Sequence, residues 1–62
     1  MDDVRALEME LNSLKEYENV LKDKLMKEEY DLSKLHILTA ISDTILNEIN
    51  IKVKLKEASQ NE

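Results

Sequence analysis

From Val4 to Leu35 the chain repeats every seven residues. With Val4 as heptad position a, the a and d positions are Val4, Leu7, Leu11, Leu14, Glu18, Leu21, Leu25, Glu28, Leu32 and Leu35. Eight of the ten are aliphatic, and the spacing alternates three and four without a slip. Such spacing draws one narrow apolar seam along a helix. One helix alone cannot cover that seam, so the pattern demands a second helix. Whatever else the chain does, it acts through helix association.

Little in the composition competes with this reading. There is no glycine, no proline and no cysteine. The residues of tight turns, phosphate-cradling loops and abrupt helix stops are therefore missing, and disulfides are excluded. Charged residues make up 37% of the chain, which with abundant Leu is the composition of a long helix or coiled coil. At 62 residues the chain is in the size range that often leans on oligomerisation. A formal net charge of −5 argues against binding to phosphate backbones, where a basic surface must displace counterions. It argues equally against an anionic membrane surface. The most apolar tract, Leu35 to Leu55, is broken by Asp43, Glu48, Lys52 and Lys54 and is not expected to span a bilayer. The opening Met-Asp-Asp does not read as a signal peptide. An intracellular location, cytoplasm or nucleus, is expected.

Asp2 or Asp3 is the expected N-cap. Helix formers fill the exposed positions that follow, and Glu18–Lys22 is an i,i+4 pair in the favourable order. The segment Tyr30–Lys34 is the one place for a bend, with Asp31 or Ser33 available to cap a second helix. The heptad runs through it unbroken, so a continuous helix is expected and a hairpin is the alternative.

Beyond Leu35 the old register meets Thr39, Ser42, Leu46, Ile49, Val53 and Lys56. Ile37, Leu38, Ile41, Ile45, Ile51 and Leu55 fall outside it. The apolar face widens from a seam to a broad stripe, which a two-stranded coil cannot cover but a larger bundle or a neighbouring domain can. Ile49–Lys56 alternates apolar and polar residues like a strand. With no partner strand, helix is expected to about residue 54, and Ser59–Glu62 should fray.

In a parallel dimer, g residues meet e residues of the next heptad on the partner. Glu10–Lys15, Lys24–Glu29 and Lys52–Glu57 would attract, as would Asp31 and a protonated His36; Asp3–Glu8 would repel. Exposed pairs of this kind add little each. Glu18 and Glu28, at core positions, read either as carboxylates reaching solvent from a loosened seam or as partner discriminators that favour a chain offering Lys or Arg there. In the second case a homodimer tightens in acid. His36, the sole histidine, has Leu32, Ser33, Thr39 and Ala40 at helical spacing, none a good metal ligand. Ser33 with His36 lacks the orienting acid and pocket that nucleophilic catalysis needs. Tyr17 and Tyr30 flank the seam. The expectation is a non-enzyme without cofactor, metal or small-molecule substrate.

The opening Asp-Asp-Val-Arg-Ala-Leu-Glu with its Leu-rich coil to Lys27, and the tract Leu35–Ile41 leading to Ile49-Asn50-Ile51-Lys52, together resemble coiled-coil segments of eukaryotic inner-kinetochore subunits with an RWD domain. In that family a similar coil runs into a short Leu/Thr/Ile tract and then the first strand. The resemblance implies a dimerisation segment of a chromosome-segregation scaffold. This chain departs from the family in stopping before an RWD domain would form.

The expected fold is all-α: a long continuous helix in a parallel coiled-coil dimer, or alternatively a helical hairpin assembling into a four-helix bundle. Residues 1–34 are the regular heptad coil, 35–56 the broader apolar helix with a strand-like end, and 57–62 a frayed tail. The expected role is an oligomerisation module in a scaffold complex, joining the chain to itself or to a related coiled-coil subunit. Val4, Leu7, Leu11, Leu14, Leu21, Leu25, Leu32, Leu35, Leu46 and Ile49 form the expected dimer interface. The alternative function is a regulatory amphipathic helix that docks Leu38, Ile41 and Ile45, beside Ile49, in a partner's groove.

Overall fold

A computed structural model describes residues 2–60, with side chains from Asp3 to Gln60. Two helices account for nearly all of them: α1, Asp2–Lys27, and α2, Asp31–Gln60. They fold back and pack against each other along an axis 49 Å long. The expected all-α class is observed. The expected continuous helix is not what the structure shows, because Glu28–Glu29–Tyr30 interrupts it.

The break has a local cause. The Glu28 amide donates to the Leu25 carbonyl at 3.4 Å, a tightened last turn that ends α1. Glu28 Oε1 then accepts the Glu29 and Tyr30 amides at 3.1 and 3.2 Å. A glutamate side chain thus satisfies two amides that the interruption leaves without helical acceptors. The Lys34 amide donates to the Tyr30 carbonyl at 2.9 Å and starts α2. Lys24 and Lys27 lie in the last turn of α1, and Asp31 in the first turn of α2. Both placements oppose the helix dipoles with the favourable sign. No described residue adopts positive φ, so the turn needs no glycine.

The α1 side of the interface is the heptad read from the sequence. Val4, Leu7, Leu11, Leu14, Glu18, Leu21, Leu25 and Glu28 are the residues of α1 and the turn withdrawn from solvent, Leu21 most completely. The α2 side differs from expectation. Its covered residues are Ser33, Lys34, Ile37, Ala40, Ile41, Thr44, Glu48, Ile51, Leu55 and Ala58. From Ile37 on, Ile41, Thr44, Glu48, Ile51, Leu55 and Ala58 step four and three, a second heptad displaced by two residues from the first. At 100° per residue, that displacement turns the inward seam about half a turn away from the a/d line. The tract Ile49–Lys56, whose alternation is strand-like but for which helix is expected to about residue 54, is helical, and α2 continues to Gln60. Of the expected frayed tail, 57–60 are helical; Asn61 and Glu62 lie outside the described residues, as does the side chain of Asp2, and Asp3, the other expected N-cap, lies within α1.

Candidate functional site: the two faces of the second helix

The inward face of α2 carries two buried polar residues, Thr44 and Glu48. Thr44 is satisfied by its own helix, its hydroxyl donating to the Ala40 carbonyl at 2.8 Å. Glu48 is only 6% exposed, and its Oε2 has no donor within reach. Across the interface it meets Glu18, which also holds Lys22 in an i,i+4 ion pair. Two carboxylates can hydrogen-bond only if one carries the proton. Of the two, Glu48 is the one whose protonated form is favoured: hydrogen bonding to Glu18, followed by burial, raises its pKa above the ordinary value of 4.5. Glu18 moves the other way. The bond from Glu48 and then the bond from Lys22 lower it from 4.5. Lys22 is raised above 10.5, chiefly by its bond to Glu18.

The outward face is apolar and bare. Leu32, Leu35, Leu38, Ile45, Leu46, Ile49 and Val53 all stand exposed, Leu32 to 66% and Leu46 to 58%. A helix packed on one neighbour ordinarily shows water its polar side. This one is apolar on two roughly opposite sides. The bare residues occupy positions a, d and g of the register that opens at Val4.

The expected interface residues therefore separate into two groups. Val4, Leu7, Leu11, Leu14, Leu21 and Leu25 line the packing of α1 on α2, whereas Leu32, Leu35, Leu46 and Ile49 lie on the bare face. Among the expected docking residues, Leu38 and Ile45 are on the bare face, and Ile41 is a correction, because it is buried between the helices. Glu48 went unrecognised in the sequence, and its signal was the displaced heptad from Ile37 to Ala58. Glu28, read as a core position, is the turn's hydrogen-bond acceptor.

Elsewhere among the described residues lies a shallow groove, lined by Glu10, Leu14, Asn47, Asn50, Ile51 and Lys54. Among the described residues no group of three or more His, Asp or Glu side chains is placed to hold a metal ion, and no helix is long and apolar enough to cross a membrane. His36, Tyr17 and Tyr30 are exposed.

No family model, curated protein or solved structure matches this chain. The likeness to inner-kinetochore coils rests on the sequence tracts alone.

Proposed function

We propose that the chain is a helical association module: a hairpin whose α1 secures α2 and whose α2 presents an apolar row to another protein. The observation that carries this reading is the bare face from Leu32 to Val53. Contiguous exposed apolar surface of this kind marks an interaction site. Total area points the same way. The molecule exposes 5151 Å², where a compact monomer of 7.3 kDa would expose about 4200 Å².

Light scattering with circular dichroism across concentration tests the proposal. Association should raise the mass above that of one chain while helicity persists. Leu46→Lys with Ile49→Lys should return the mass to one chain without loss of helix, since both side chains are exposed. A helical wild-type chain that stays monomeric at millimolar concentration would overturn the reading.

A second reading keeps the continuous helix. The heptad passes unbroken through Glu28 and Leu32, and the turn holds no residue foreign to a helix. Opened, the chain would pair its a/d seam, Leu32, Leu35, Leu46 and Ile49 included, with a parallel copy. Small-angle scattering separates the forms: the hairpin has a radius of gyration of 14.5 Å, whereas an open helix of about 50 residues would be roughly 75 Å long. The chromosome-segregation setting is a further proposal that draws only on the sequence resemblance; localisation of the tagged protein to centromeres is its test.

A further inference from the structure

The bare face of α2 is nearly symmetric about Ser42. Leu35 and Ile49 lie seven residues to either side of it, Leu38 and Ile45 four and three, Leu32 and Val53 ten and eleven. We infer that the partner is a second copy of this chain, docked through α2 in antiparallel orientation with the two-fold axis at Ser42. The inference rests on the association reading above and specifies its partner and geometry.

A two-fold axis perpendicular to the helices makes the contact isologous, each residue meeting its counterpart across Ser42. Along the centre of the face, Leu35 comes level with Ile49 of the second copy, and Ser42 with Ser42. On one edge Leu32 meets Val53; on the other Leu38 meets Ile45. Three of these four pairings set apolar against apolar, and the fourth is the serine at the axis, whose small side chain lets the helices approach toward the short end of the usual 8–10 Å; Leu46, on the Leu32 edge, comes level with Thr39 of the second copy. Charge agrees. On the Leu38 edge, Asp31 comes level with Lys52 of the second copy, and this pair occurs twice by symmetry. A parallel, in-register pairing of the same face would instead set Lys56 beside Lys56 and leave Asp31 far from any Lys52. Like charges in apposition favour the other alignment. The apolar row from Leu32 to Val53 is about 30 Å long, enough to cover the bare residues and leave α1 outermost on both sides.

The chain has no cysteine, so single-cysteine variants of the whole protein report the alignment. Under mild oxidation Ser42→Cys should cross-link to itself at least tenfold faster than His36→Cys, an exposed position off the row. Leu35→Cys and Ile49→Cys should each cross-link poorly alone and well when mixed. Self-linking of Leu35→Cys and of Ile49→Cys as fast as that of Ser42→Cys would overturn the antiparallel geometry while leaving association intact. So would a Ser42→Cys rate no greater than that of His36→Cys in a chain that light scattering shows to be dimeric. A monomeric wild-type mass would overturn the association reading and this inference with it. All four positions are exposed, and circular dichroism confirms that each variant keeps its helices.

Discussion

At the scale of single residues, the unusual feature is the carboxylate pair at the middle of the helix interface. Glu48 has a raised pKa and Glu18 a lowered one. For Glu48 the folded state binds the proton more tightly than the unfolded chain, so stability grows as pH falls toward its unfolded value near 4.5. For Glu18 the contribution is present above its unfolded value and is lost as pH falls through its lower folded one. The hairpin should therefore be most stable in mild acid, with a melting temperature higher near pH 5 than at pH 7 and declining again below pH 4. Glu48→Gln, whose amide can donate to Glu18 without a proton, should melt higher than wild type at pH 7 and lose most of the rise between pH 7 and 5. Thermal melts by circular dichroism at the three pH values check this. The apolar core offers a contrast: Leu21 is buried, and Leu21→Ala should cost about 2–4 kcal/mol in denaturant unfolding, a large share of what so small a domain has.

Among the elements, the turn decides which fold the chain adopts. Its design is legible only in part. The sequence marks Tyr30–Lys34 as the one place for a bend in a helix otherwise expected to be continuous, and the break falls at Glu28–Tyr30. Heptad logic assigns Glu28 to a seam, because periodicity records where a side chain points and says nothing of the backbone amides it can accept. Glu28→Ala should therefore weaken the hairpin by about 1 kcal/mol, and Glu28→Gln, which keeps an acceptor oxygen, by less. Replacing Glu28-Glu29-Tyr30 with three alanines should favour an open helix, seen as a radius of gyration well above 14.5 Å. The α1 seam was fully legible, because a narrow row of leucines on a polar helix has one interpretation. The α2 seam was not. Two apolar rows overlap in that helix, and the continuous register draws attention to the outer one. Glu48, sitting in the inner row, looks like a surface residue until the hairpin closes over it.

On the scale of the whole molecule, α2 carries two apolar rows on roughly opposite sides. Its inner row holds α1 and its outer row stands open, so folding and the proposed association would draw on different residues of one helix. This separation has an evolutionary consequence. If the outer row docks a partner as proposed, substitutions at Leu35, Ser42 or Ile49 would alter which neighbour is accepted, while Ile41, Ile51 and Leu21 continue to hold the helices together. Under that proposal such a chain could trade companions without having to reinvent its architecture.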